Sequence, residues 1–319
     1  MKKIEFKPML FSIILVLLIY YFYTPALNIH AIEFWIFLIV AICIYGAASS
    51  YSTLLGKKFK PEKVGYLGAA VAVIVAGILV TDLFTSKIFH ASRYASRIEV
   101  ENVKFNNKTL HEVDFSKTPI IDRKSTVKLG DKVMGEIPEY VSQFEVSDDY
   151  TQISYKNSVY RVTPLEYASF FKYLTNSKNG IPAYITVNST NGKTDIVKLK
   201  DLGLDGMKYV PSAILNHNLN RKLQLSYPTS IFGSPSFEVD EKGHPWYVCT
   251  TYTYFGVGNK KKVTGAVLFD PITGKSKKYD KDKVPKWVDR VYPEELIMTE
   301  IDENGSLQDG FFNSVLGQK

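Results

Sequence analysis

Residues 64–84, VGYLGAAVAVIVAGILVTDLF, decide how the chain is organised. Asp82 is their only charge, and 21 residues at ~1.5 Å per residue cross a hydrocarbon core of ~30 Å. Everything after them is polar and rich in aromatics, a different kind of polymer from everything before. The stretch reads as the last of three membrane spans. Upstream, Phe34–Leu55 reads as the second, entered by Glu33 and Trp35, and Pro8–Leu27 as the first, behind the basic leader MKKIEFK. The leader and the apolar run imitate a signal peptide. An uncleaved span is expected, because no small-x-small site closes the run and Tyr20, Tyr21, Phe22 and Tyr23 resemble an interfacial aromatic belt.

Sidedness follows from the lysines. Residues 28–33 hold neither Lys nor Arg, whereas 56–63 hold Lys57, Lys58, Lys60 and Lys63. By the positive-inside rule the N-terminus and the 56–63 loop are cytoplasmic and the C-terminal domain is extracytoplasmic. Lys87, Arg93 and Arg97 just past the third span weaken this asymmetry without reversing it. The expected localisation is therefore a multi-pass cell-membrane protein with the lipid bilayer as a partner.

Within the spans, Gly68, Ala72 and Ala76 recur every four residues, and Gly46 with Ser50 forms a similar pair. Such spacing lets backbones approach closely. It predicts that spans two and three pack as a hairpin, with the equal alternative that small residues merely fill an apolar run. Asp82 in a pore would suggest a small transporter subunit. Two residues from the end of the span, it is expected at the solvated interface.

The formal charge of the 319-residue chain is +7. Seven lysines against four acids near the spans account for less than half of it, and the rest is too dilute to argue for nucleic acid. Two lysine-rich turns, Lys260–Lys262 and Lys275–Lys278, either touch anionic wall polymer or lipid headgroups or stand as solvated hairpin tips, the latter being expected. Cys43 lies in the second span and Cys249 in the polar domain, so no disulfide framework is expected.

Beyond the spans the sequence suggests a stalk or collar over 86–134, loosely alternating between Ile98 and Leu129, and then an α+β ectodomain of antiparallel hairpins over 135–319. Strands are expected at Phe144–Val146, Gln152–Tyr155 and Ser158–Val162, with Lys156 and Asn157 turning between the last two. Thr163, Pro164 and Glu166 resemble a cap, a first-turn proline and a first-turn acid, so a helix is predicted from Pro164 to Thr175. Pro182–Val187 and Thr194–Leu199 flank the turn NSTNGK. Gly265–Phe269 and Lys277–Tyr279 flank DPITGK, 82 residues later, which suggests a weak internal duplication. Between them stands the hairpin Ser236–Val239, DEKGHP, Trp246–Tyr254. Helices are predicted at Lys281–Arg290, with Val284, Trp287, Val288 and Val291 on one side, and at Glu294–Ile301. The chain then stops at NSVLGQK without a cap or tail, so a truncated sheet is expected.

Several segments taken together, GIPAY at Gly180, KYVPSA at Lys208, YPT at Tyr227, SFEVDEKGHPWYV at Ser236, DPITGK at Asp270, VPKWVDRVYP at Val284 and GFFNS at Gly310, resemble an uncharacterised family of Gram-positive bacterial membrane proteins. The hairpin pattern is also similar in topology to PepSY-type domains. Members of such families continue into further strands, which implies that this sheet is incomplete. The resemblance implies no activity, cofactor or catalytic residue.

Chemistry-bearing residues are scattered. His30, His90, His111, His217 and His244 fall in separate contexts without ligand spacing, so no metal or cofactor is expected. The turn Asp240–Gly243 lacks a calcium ladder. Asp289, Glu294 and Glu295 could serve as paired acids of a wall hydrolase, although solvated positions are the plainer expectation. The aromatics Trp246, Tyr247, Tyr252 and Tyr254, with Phe255, could stack on a sugar or peptide, or belong to an ordinary β core, which is favoured. The functional expectation is a membrane-anchored, non-catalytic envelope protein binding a protein or wall component.

Overall fold

The computed structural model describes residues 6–54, 61–106, 113–115 and 117–317. Residues 1–5 of the basic leader, Lys57, Lys58, Lys60 and His111 lie outside the described residues. Three apolar helices open the chain, α1 (Phe6–Tyr23), α2 (Ile32–Leu54) and α3 (Pro61–Thr85). Two of them, over Ile32–Ser50 and Val64–Thr85, are long and apolar enough to cross a membrane, whereas α1 offers a shorter apolar run, Met9–Tyr23. α1 packs on α2 and α2 on α3. The outer sides of these helices keep large apolar residues such as Phe11, Leu17 and Val73 exposed.

The chain then turns through α4 (Lys87–Ala95), α5 (Arg123–Gly135) and α6 (Pro138–Val141) into a first antiparallel sheet of β1 (Phe144–Val146), β2 (Thr151–Tyr155), β3 (Ser158–Tyr167), β4 (Ala183–Asn188) and β5 (Thr194–Lys198), with α7 (Phe170–Asn176) between β3 and β4. After α8 (Leu219–Ser226) comes a second antiparallel sheet of β6 (Ile231–Phe232), β7 (Ser236–Val239), β8 (Pro245–Tyr254), β9 (Lys261–Phe269) and β10 (Ser276–Asp280), followed by α9 (Glu294–Leu307) and α10 (Phe311–Leu316).

The sheets share one plan. In the first the order is β1-β3-β4-β5, and β2 also pairs with β3. In the second it is β6-β8-β9-β10, and β7 also pairs with β8. β1 and β2 thus form one broken edge along β3, and β6 and β7 a second broken edge along β8. The closing turns match as well. Asn188 Oδ1 accepts from Thr190 N and Asn191 N, and Asp270 Oδ1 from Ile272 N and Thr273 N. Gly192 and Gly274 take up the left-handed backbone at φ 73° and 72° that each turn needs.

A single core joins the sheets. Ile153, Val162, Tyr184 and Ile185 from the first meet Phe237, Tyr247, Cys249 and Phe269 from the second. Every residue of β4 is buried, as befits a strand covered on both faces; α5 packs against it. The free thiol of Cys249 is wholly enclosed and its pKa pushed up by burial.

The hairpins fall where turn chemistry put them, including the tight Lys156–Asn157 turn, whose two residues have φ 50° and 58°. Several expectations are corrected. The helix predicted over Pro164–Thr175 begins later than expected: its first four residues, Pro164–Tyr167, continue β3, and the helix is Phe170–Asn176, capped by Ser169. Thr163 Oγ donates to Ser147 O at 2.8 Å instead of capping. The proline is tolerated because its N-side faces the break between β1 and β2, where Ser147 N donates to Pro164 O.

Lys281–Arg290 forms no α-helix. After a short 3-10 turn at Lys281–Lys283, Pro285 and Pro293 keep the chain irregular as a strap. The predicted apolar set Val284, Trp287 and Val288, with Val291, still packs on one surface, the outer face of the second sheet at Val248, Ala266 and Leu268. α9 extends past Ile301 to Leu307. Among the described residues 98–129 no strand forms. Asp122 Oδ1 accepts Ser125 N at 2.7 Å and starts α5, which packs on β4 and β5 and so belongs to the domain and not to a stalk. α4 likewise folds back onto α9.

Candidate functional site

The folded domain sits directly on one end of the helical bundle. Leu27 N donates to Pro228 O at 2.7 Å, Gly258 N to His30 O at 3.0 Å, and Asn259 Nδ2 to Asp82 O at 3.0 Å and Thr85 Oγ1 at 2.8 Å. His30 Nδ1 lies 2.8 Å from Gly256 O. Arg221 bonds to Tyr21 O and lies over the rings of Tyr21 and Phe22. The end of α1, the start of α2 and the end of α3 therefore hold the domain through the loop after α8 and the β8–β9 hairpin.

Above this seat the two broken edges face each other. Ser147–Tyr150 interrupts the first sheet and Gly233–Pro235 the second, opposite the bulge of β8 at Thr251/Tyr252. Gly233 leaves room here for the Tyr252 ring, which lies 2.7 Å from where a Cβ would stand. Between the edges lies a polar cavity of about 290 Å³ bordered by Arg123, Asp149, Tyr150, Lys261, Arg290 and Glu295. A second cavity of about 550 Å³, with a mostly apolar lining, opens towards the ends of α3 and α4 between Ile88, Tyr94, Leu296 and Phe311. Tyr252, Lys261, Pro293 and Glu295 border both, so the two cavities adjoin as a crevice with a polar and an apolar part.

Its charges divide into paired and unpaired. Arg97, with a side chain only 5% exposed, binds Glu300 at 2.7 Å and Glu303 at 2.9 Å; Lys87 also reaches Glu303 at 2.9 Å. Arg123 faces Asp149 at 3.6 Å. Lys261 lies 4.0 Å from the centre of the Tyr252 ring, and burial lowers its pKa, with Glu295 and Glu33 pulling the other way. Lys260 donates to Arg93 O, and burial, together with Arg93, Arg97 and Lys262, lowers its pKa too. Among the described residues neither ammonium has a carboxylate at ion-pair distance.

Next to the crevice, Glu238 of β7 is fully buried and accepts Asp289 N at 2.9 Å and Arg290 N at 3.0 Å. Burial outweighs these bonds and pushes its carboxyl up to about 7. Glu238 anchors the strap that carries Arg290. Sequence reading passed over it, although the alternation in SFEV puts Ser236 and Glu238 together on the face opposite Phe237 and Val239.

The aromatics proposed to face a ligand do not share a surface. Tyr247 is a core residue, Tyr252 and Tyr254 pack near Ala26 and Ala31, and Trp246 faces the opposite side, 6.1 Å from Trp287. Strand alternation separates 246 from 247, and the bulge resets the face at Tyr252. Only Tyr252 borders the crevice. The small-residue set divides likewise. Gly46 meets Leu67 of α3, a Cβ there lying 3.3 Å from Leu67 Cδ1, and Ser50 Oγ bonds to Gly46 O. Gly68, Ala72 and Ala76 instead point outwards, away from α2, so the α2–α3 contact uses Gly46 and not the three-residue stripe.

Asp289 Oδ2 is taken up by Ser154 N at 2.6 Å, Glu294 is exposed, and Glu295 alone of that acid set borders the crevice. Among the described residues no group of three His, Cys, Asp or Glu side chains could hold a metal. His217 meets Tyr173 Oη at 3.2 Å and His244 meets Asp270 at 3.4 Å, far apart in role. Comparison of the chain with protein-family models, with curated proteins and with solved structures finds no match.

Proposed function

We propose that the chain is a three-span membrane protein of the bacterial cell envelope whose α+β domain sits on the extracytoplasmic face and acts as a non-catalytic binding module for a protein or wall component. The observation that carries this reading is the seat: one end of the bundle, formed by α1, α2 and α3 together, is hydrogen-bonded to the domain through Leu27, His30, Asp82 and Thr85. A water-soluble domain fixed to one end of apolar helices is the arrangement expected when those helices cross a bilayer and the domain stands outside it. α1 joins the two longer helices as a span because it packs on α2 and ends at the same seat. Orientation follows from the lysines that the sequence carries between α2 and α3. The resemblance to Gram-positive membrane proteins agrees with this reading.

Binding is favoured over hydrolysis because Asp289, one of the candidate acids, is committed to a backbone amide. It is favoured over transport because Asp82 is engaged at the seat by Asn259. The test is made on intact cells. A membrane-impermeant maleimide should label a cysteine introduced at exposed Asp201 and should leave one introduced at Lys58 unlabelled until lysis. The reverse pattern would overturn the orientation. Crosslinking from the domain should then return an envelope protein or wall fragment; release of wall fragments by the purified chain, lost in Glu295→Gln, would replace binding by hydrolysis.

A further inference from the structure

We infer that the crevice between the outer ends of the spans and the two broken edge strands binds an acidic phospholipid of the adjoining leaflet, with its acyl part against Ile88, Leu296 and Phe311 and its phosphate at Lys260 and Lys261. This rests on the reading of the chain as membrane-spanning and adds a ligand class to it.

Three independent observations converge on that occupant. The first is location. The apolar cavity begins at Ser86–Ile88, where α3 ends and the chain leaves the apolar bundle, so its mouth lies where a leaflet's headgroups and first methylenes would be. The second is polarity. Two adjoining cavities, which share Tyr252, Lys261, Pro293 and Glu295, change from an apolar lining beside Ile88, Leu296 and Phe311 to a polar one beside Lys261, Arg290 and Ser236. An amphiphile matches that gradient, and a purely polar solute would leave the larger cavity unfilled. At about 550 Å³ this cavity falls within the range of small-molecule sites.

The third is charge. Arg97, Lys87 and Arg123 are neutralised by Glu300, Glu303 and Asp149, whereas Lys260 and Lys261 are partly withdrawn from water and lack a carboxylate partner. Lys260 Nζ lies at Arg93 O and Lys261 Nζ over the Tyr252 ring. Desolvating a cation without a counter-ion is unfavourable, and an anionic phosphate reaching either ammonium relieves it. Lys260 is also held with φ at 38°, in a backbone region that a lysine seldom adopts. Both lysines belong to a turn expected from the sequence to stand as a solvated tip, with contact to anionic polymer or headgroups as the alternative, and the structure packs that turn against α3 and α4.

The experiment uses the full chain purified in a neutral detergent, with thermal unfolding followed as phosphatidylglycerol, phosphatidylcholine or inorganic phosphate is added. Phosphatidylglycerol should raise the midpoint saturably, as a ligand of the native state does, and native mass spectrometry should find it retained at one molecule per chain. Phosphatidylcholine and inorganic phosphate should do neither. The double variant Lys260→Met, Lys261→Met should weaken the phosphatidylglycerol response at least tenfold. An equal response to phosphatidylcholine, which signifies a non-selective lipid annulus, overturns the inference. So does an equal response to inorganic phosphate, or a double variant that responds as the natural chain does. If the double variant fails to fold, the headgroup series on the natural chain decides alone. Alkaline carbonate extraction separates the two layers of the argument. A chain released from membranes sinks the spanning reading, whereas a chain that stays in them and shows no preference for phosphatidylglycerol sinks this inference only.

Discussion

Replacing Glu238 by Gln should change how the stability of the domain depends on pH. The carboxyl is enclosed beneath the strap, and burial moves it from an ordinary 4.5 to about 7 in spite of two amide donors. Folded protein therefore holds a proton that unfolded chain has released between those values. Unfolding sheds that proton, so the group's stabilising contribution is full below pH 4.5 and is lost as pH rises through about 7. A displacement of that size corresponds to about 3 kcal/mol, or roughly 6–12 °C in Tm for a domain of this size. Glutamine does not titrate. It can accept only one of the two amides and turns an NH2 towards the other, which costs about 1–3 kcal/mol at pH 5. Thermal unfolding of both proteins in the same detergent from pH 5 to 8 should show the natural chain ahead at pH 5 and the gap closing or inverting by pH 8. Other titrating groups cancel in the difference. A gap that stays constant or widens with pH would refute the assignment of Glu238 as a buried, proton-holding group.

Gly130→Ala should destabilise by about 1–3 kcal/mol, because the new Cβ would meet Tyr150 Oη at 1.9 Å; adding Tyr150→Phe should restore most of it in a double-mutant cycle followed by urea unfolding. Since the Tyr150 hydroxyl is buried without a partner, Tyr150→Phe alone should be neutral or stabilising. Arg97→Met leaves Glu300 and Glu303 without their buried cation and should cost about 3–5 kcal/mol, read as faster proteolysis at α4 and α9. At Asp270, burial raises the pKa, but bonds from His244, Thr273 and the amides of Ile272 and Thr273 prevail and hold it at about 2. Its contribution is present above the ordinary value and disappears as pH falls through about 2, and Asp270→Ala should cost about 1–2 kcal/mol near pH 7, since the partly solvated carboxylate is screened.

Most of the hairpins were legible because their turns carry their own chemistry. Asn-Gly and Asp-Pro turns fix a reversal locally, and Lys156–Asn157 closes β2 onto β3 whatever surrounds it. What distant partners decide was not legible. Thr163, Pro164 and Glu166 carry a helix signal, but β4 on one side and β1 with β2 on the other hold the segment extended. Asp122 is an ordinary cap, yet the helix it starts has a weak apolar stripe and gains its place from β4 and β5. Trp287 and its neighbours reported the correct buried face without reporting that two prolines prevent a helix there. The crevice escaped for the same reason. Its borders come from α4, β2, the β6–β7 break, β9, the strap and α9, and no window of sequence contains more than a part of them. Lys260 and Lys261 stood out only as charge in a turn, and the packing around them comes from α3 and α4.

The seat has a mechanical consequence. With hydrogen bonds at Leu27, His30, Asp82 and Thr85 gripping the loop after α8 and the β8–β9 hairpin, the domain is fixed to the helices and does not hang from a tether. On the membrane-spanning reading proposed above, that grip would keep the crevice close to the lipid surface.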